Sequence, residues 1–211
     1  MFDFLAKGGI LVGPILVCSM IALAIFLERL IRFSQIKLTG DGLLETITRH
    51  IARNEDEQAC ECACVSNTPM GRVLAQGMAV RDADLDTLET VLVHAAEEEI
   101  RGFSRYIQAL ATIGNITPLL GLLGTVIGMI KAFMVIQQMG GKVNAAVLAG
   151  GIWEAMLTTA LGLAVALPTI VAHSYLLGRI HTYEARLQDG AVMLIKALSS
   201  RRTNGKTGQP S

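Results

Sequence analysis

Three stretches of this chain carry no charge over a length that can cross hydrocarbon, which takes roughly 20 residues of helix. They are 8–27 (GGILVGPILVCSMIALAIFL), 106–130 (YIQALATIGNITPLLGLLGTVIGMI) and 155–178 (AMLTTALGLAVALPTIVAHSYLLG). Backbone N–H and C=O groups find no water in a bilayer, so segments of this length are expected to be helices. Mean hydropathy is +0.49 and 17% of residues are charged, low against the roughly 25% of soluble domains. The fold class expected is therefore all-α, a polytopic membrane protein with three transmembrane helices. ALA at 22–24 has the look of a cleavage site, but the apolar run continues through IFL and basic residues follow it, unlike a secretory signal.

Lys and Arg set the orientation. One precedes the first run, nine lie between the first and second, two between the second and third, and six follow the third. An outside N-terminus puts nine plus six inside against one plus two outside, and the opposite topology reverses that ratio. The expected layout is an outside N-terminus at 1–7, a first span at 8–27 and a cytoplasmic helical segment at 28–105. A second span follows at 106–139, with its hydrocarbon part at about 112–134. An outside loop and helix start occupy 140–152, the third span 153–178, and a cytoplasmic helix with a disordered tail 179–211. Net formal charge is zero, so nothing suggests nucleic acid as a partner; membrane lipid is the surrounding medium.

Within 28–105, Leu43, Leu44, Ile47 and Ile51 recur at helical spacing, and Thr68 or Asn67 followed by Pro69 marks a helix start. Asp84 opens a longer pattern: Leu85, Leu88, Leu92, Ala96, Ile100, Phe103, Ile107. That pattern enters the second span without a breaker. It predicts one helix from Leu85 to about Met139, some 80 Å long at about 1.5 Å per residue, against about 30 Å of hydrocarbon. Spans two and three are thus expected to extend as long helices into the cytoplasm. Beyond Arg201, RRTNGKTGQPS reads as disordered.

The third span carries polar groups on one side. With 100° per residue, Glu154, Thr158, Gly162, Thr169 and His173 fall within about 120°, and Thr159 at about 140°. In the second span Gly114, Thr117, Gly121, Gly124, Thr125 and Gly128 lie within about 100° of one another. Gly124 and Gly128 have the spacing that lets helix backbones meet. Gly121, Gly124, Gly128 and Gly162 are read as helix-packing positions, Gly124 and Gly128 as contacts of the oligomer. Glu154 is different, because an ionisable group in a span is costly and commonly faces a bundle interior or a hydrated cavity. An interfacial first-turn acid is the competing explanation. The polar stripe below Glu154 favours a proton path through Glu154, Thr158, Thr159 and Thr169, with Thr125 on the facing helix.

Cys60, Cys62 and Cys64 alternate in CECAC. Three thiols attract soft metals, but no fourth Cys or His cluster lies near and paired CxxC spacing is absent, so no metal or other cofactor is expected. Nor is there a nucleotide loop, zinc-protease motif or nucleophile elbow, so an enzyme is not expected.

TPLLGLLGTVIGMIKAF (117–133) and GGIWEAMLTTALGLAVALP (150–168) resemble the two signature spans of the ExbB/TolQ/MotA proton-channel family, and the likeness extends to the whole layout, closest to ExbB or TolQ. The resemblance implies a homo-oligomeric ring, a pentamer, around the single spans of an ExbD- or TolR-like partner that supplies an aspartate. It implies residence in the bacterial inner membrane and use of the proton motive force to energise a TonB- or TolA-like protein for outer-membrane transport or envelope integrity. By matching position it makes Glu154, Thr125 and Thr159 pore-facing. Thr158 stands where family members often carry Ala, so its role does not carry over. A non-conducting membrane scaffold with the same layout is the alternative, and a membrane enzyme or metal-binding protein using the cysteines is a third class.

Overall fold

The computed structural model describes residues 10–35, 41–138 and 145–207. Every element among them is a helix: α1 (Val12–Gln35), α2 (Asp41–Ala52), α3 (Asp56–Val65), α4 (Pro69–Ala79), α5 (Leu85–Ser104), α6 (Ile107–Gln138) and α7 (Ala145–Thr207). Three are long and apolar enough to cross a membrane: α1 over Val12–Ser34, α6 over Ile107–Gln138 and α7 within Leu148–Arg202. Only 17%, 22% and 28% of their most apolar windows is buried within the chain. The remaining apolar surface has to be covered by lipid or by other chains.

The chain divides into two compact units. The first comprises Met1–Leu30 with Tyr106–Leu177, the second Ile31–Arg105 with Gly178–Ser211. The first is built on the spans. Gly114, Thr117, Gly121, Gly124, Gly128 and Ala132 form the buried row of α6. Ala155, Thr158, Ala166 and Thr169 form that of α7. Both helices continue through a proline, Pro118 and Pro168. At the end of its apolar stretch α1 buries Arg29, whose guanidinium lies 5.6 Å from the Tyr106 ring centroid; such stacking offsets part of the cost of burying the charge.

In the second unit Ile47 and Ile51 of α2, Leu74 and Met78 of α4, Leu88 and Leu92 of α5, and Leu187, Leu194 and Leu198 of α7 are fully buried. Phe103 stacks between Phe33 and Tyr183, with ring centroids 5.8 and 5.1 Å apart. Local chemistry starts these helices. Thr68 accepts a hydrogen bond from the Gly71 N–H at 3.1 Å with Pro69 in the first turn. Asp84 accepts from the Thr87 N–H and hydroxyl at 3.1 and 2.6 Å, which hold its carboxyl below the usual carboxylate range. Each cap satisfies an N–H that has no partner inside its helix. Arg72 forks onto Glu99 at 2.5 and 2.6 Å.

Two expectations are corrected. The helix expected to run from Leu85 to about Met139 is broken at Arg105 and Tyr106. Arg105 turns to ψ 134° and Tyr106 takes the left-handed conformation, φ 66°. That conformation costs a residue with a Cβ about 1–3 kcal/mol, so surrounding contacts have to hold it. Phe103 and Ile107 are both buried, so the three-and-four spacing passes straight across the break. Periodicity alone therefore does not reveal it.

The chain is also helical past Arg201. Arg201 pairs with Asp56, and Arg202 donates to the carbonyls of Arg81 and Ala83. α7 continues to Thr207. Paired and partly buried, these two arginines act as anchors; the end of the expected tail, 208–211, lies outside the described residues.

Candidate functional site

Where α6 and α7 cross in the first unit, their backbones touch. A Cβ added to Gly121 would lie 3.1 Å from Thr159 Cα and 3.3 Å from Thr158 O; one on Gly162 would lie 2.9 Å from Thr117 O. On Gly124 it would meet Thr158 Cγ2 at 2.3 Å, and on Gly128 the Ala155 Cβ at 2.9 Å. The surface that the glycine row meets is therefore this chain's own α7. Small residues allow that approach, and packing replaces the hydrophobic drive that lipid cannot supply.

The threonines divide by what their hydroxyls bond. Thr159 donates across the crossing to Gly121 O at 2.9 Å. Thr158 donates to Glu154 O at 2.9 Å and Thr169 to Val165 O at 2.8 Å. Both are nearly buried, and Gly124 and Gly114 of α6 approach them directly. Thr125 is half-buried and donates to Leu122 O at 2.6 Å. Glu154 and Thr158 thus share one place, while Thr169 lies about three turns further along α7 and Thr125 is outside the cleft around Glu154. Because Thr159 ties two helices and Thr125 bonds its own, Thr159→Val is expected to lower the Tm of the detergent-solubilised chain by the loss of about 1 kcal/mol. Thr125→Val is expected to move it less, and equal shifts would count against the cross-helix bond.

Glu154 stands at the head of this seam, in a small cleft walled by Ile10, Leu11 and Ile127. Its side chain is 31% exposed, and the Lys131 ammonium lies 3.5 Å from its Oε1. Lys131 is 54% exposed. Sequence reasoning counted Lys131 as an orientation charge and missed it as a site residue. The signal was present: Lys131 follows Gly128 by three positions, on the face that meets Ala155 beside Glu154.

The cysteines do not converge. On α3, Cys60 and Cys64 share a face with sulfurs 4.0 Å apart, and Cys62 points elsewhere by the helical period. Burial, then the neighbouring Cys64, push the Cys60 thiol up, away from the thiolate that metals and oxidants require.

These features define a multi-pass α-helical membrane protein in which two spans are joined along rows of small residues with one carboxylate at their head. The chain belongs to the MotA/TolQ/ExbB proton channel family, whose sequence profile matches residues 65–189. Both stretches that carried the resemblance lie inside that match. It is 30% identical over 166 residues to the putative biopolymer transport protein ExbB-like 3 of Synechocystis sp., covering 78% of this chain and 79% of the relative. It is 30% identical over 165 residues to the biopolymer transport protein exbB1 of Vibrio cholerae serotype O1, covering 77% and 72%. Over a shorter stretch of 86 residues it is 44% identical to the biopolymer transport protein ExbB of Salmonella typhimurium, covering 41% and 35%. ExbB is thus the branch of the family to which the likeness points.

Proposed function

We propose that the chain is the proton-channel subunit of a bacterial inner-membrane motor. With an ExbD- or TolR-like one-span partner it uses the proton motive force to energise a TonB- or TolA-like protein, for outer-membrane transport or envelope integrity. Family membership supports the coarser part, an ExbB-like role in energising biopolymer transport. The observation that carries the finer part is Glu154: a carboxylate at the head of an otherwise uncharged span, partly open while the seam beside it is closed.

In this reading the N-terminus is periplasmic and the C-terminus and helices α2–α5 are cytoplasmic, following the distribution of Lys and Arg. The chain assembles as a ring, a pentamer, which covers apolar surface that the spans leave open. Glu154 takes up the proton, and Thr125, Thr158, Thr159 and Thr169 order the path beyond it. The partner's aspartate completes the relay, since 8–27 and 106–130 contain no Asp or Glu and 143–178 contains Glu154 alone.

Proton flux into vesicles under an imposed potential tests this. The chain alone is expected to conduct more than about tenfold less than the chain with its Asp-bearing one-span partner, because charge in hydrocarbon without a titratable stop costs several kcal/mol. Equal flux with and without the partner would refute the shared relay. The burial of Thr158 and Thr169 favours a second reading, a non-conducting scaffold; absence of partner-dependent flux alongside stable partner binding would establish it.

A further inference from the structure

Among the described residues, Lys131 is the charged group beside Glu154 that the proposed pathway leaves without a role, and its placement is specific. The two residues are 23 positions apart, on different helices, with 3.5 Å between ammonium and carboxylate. Among the described residues, the cleft that holds Glu154 is otherwise lined by uncharged ones, Ile10, Leu11, Gly124, Ile127, Gly128 and Thr158. α6 and α7 are fixed against each other here by Gly124 on Thr158 and Gly128 on Ala155, so the pair is aligned by backbone packing. Glu154 is 31% and Lys131 54% exposed, so water reaches both groups and the attraction is that of a partly exposed pair.

We propose that Lys131 is a latch: in the chain without its partner its ammonium engages the Glu154 carboxylate, and a carboxylate brought by the partner helix draws that ammonium away, leaving Glu154 unpaired and open to the proton path. This rests on the reading of Glu154 as the proton-accepting group. Lys131 is more than half exposed, so an incoming carboxylate can reach its ammonium without disturbing the seam. The exchange conserves charge: one ion pair is broken, another forms, and the proton that then arrives from the outer side neutralises Glu154. Lys131 is a positioning residue here and relays no proton.

Two measurements on the full-length chain test the latch. A water-soluble carbodiimide adds to a carboxyl as an O-acylisourea; a touching amine attacks its carbonyl and expels the urea, which carries off the elements of one water and leaves an amide. The chain alone is expected to yield a Lys131–Glu154 isopeptide by peptide mass spectrometry, and adding the one-span partner is expected to lower that yield. In vesicles holding the chain alone, Lys131→Gln is expected to raise proton leak about fivefold, the scale of a partly exposed ion pair. Lys131→Arg is expected to leave the leak at the wild-type level, and Lys131→Gln combined with Glu154→Gln to return it there. No isopeptide, a yield indifferent to the partner, or no rise in leak with Lys131→Gln would each overturn the latch. Failure of the underlying reading is separate: partner-dependent flux that survives Glu154→Gln would remove Glu154 from the path, whatever the cross-link shows.

Discussion

Glu154→Ala is expected to abolish energy transduction while the chain still inserts and assembles. The two halves of that result have different physical origins. The carboxylate contributes little to folding: its side chain is 31% exposed and its partner Lys131 is 54% exposed, and exposed ion pairs are worth about 0–1 kcal/mol. The seam beside it, Gly124 on Thr158 and Gly128 on Ala155, does not involve the carboxylate. On the proposed reading, by contrast, proton uptake at Glu154 has no substitute, because 143–178 holds no second acid. Loss of a positioned proton-transfer group costs about 10²–10⁴-fold in rate. Partner-dependent uptake or envelope integrity, measured alongside the amount of chain in the membrane, checks this. Glu154→Asp keeps the titratable group and is expected to retain part of the activity. Full activity of Glu154→Ala would remove the carboxylate from the mechanism.

Gly124→Leu is expected to do the reverse and destroy the spans' packing outright. A Cβ there would fall 2.3 Å from Thr158 Cγ2 and 2.7 Å from Thr158 Cβ. Thr158 cannot swing aside, since its branched Cβ restricts its rotamers and its hydroxyl is bonded to Glu154 O. The helices have to separate. Overpacking of this kind costs about 1–3 kcal/mol and sometimes more, and separation would also strain the Thr159–Gly121 bond, worth about 1 kcal/mol. Low membrane yield and a lowered Tm of the monomer in detergent are the expected readouts. Gly150→Leu and Gly178→Leu are the controls, because a Cβ at either position meets nothing within 4 Å. A Gly124→Leu chain as stable as these controls would contradict the seam. The contact that the structure gives Gly124 is with Thr158 of its own chain.

Much of the architecture was legible in the residue order, for identifiable reasons. Uncharged length marks a span because hydrocarbon penalises charge and unpaired backbone alike. The rows Gly114–Gly128 and Glu154–Thr169 could be read because the helical period is a local property. The caps at Thr68 and Asp84 could be read because a cap acts within three residues. The family signature in 117–133 and 150–168 was legible for the same reason: it is composed of these local features.

What the tertiary structure decided is everything that depends on which surface meets which. Periodicity says that a face is small, not whether its neighbour is the same chain or another copy; the approach of Gly121 to Thr159 and Gly162 made it the same chain. The break at Arg105 and Tyr106 leaves the apolar spacing intact, so only the backbone angle of Tyr106 exposes it. Arg201 and Arg202 look like a solvated end until Asp56 and the carbonyls of Arg81 and Ala83 meet them. Lys131 and Glu154 are separated by 23 residues, far beyond the reach of any helical period. Local rules describe a side chain's own helix, whereas an ion pair between helices exists only once the packing of α6 on α7 has brought its two charges together.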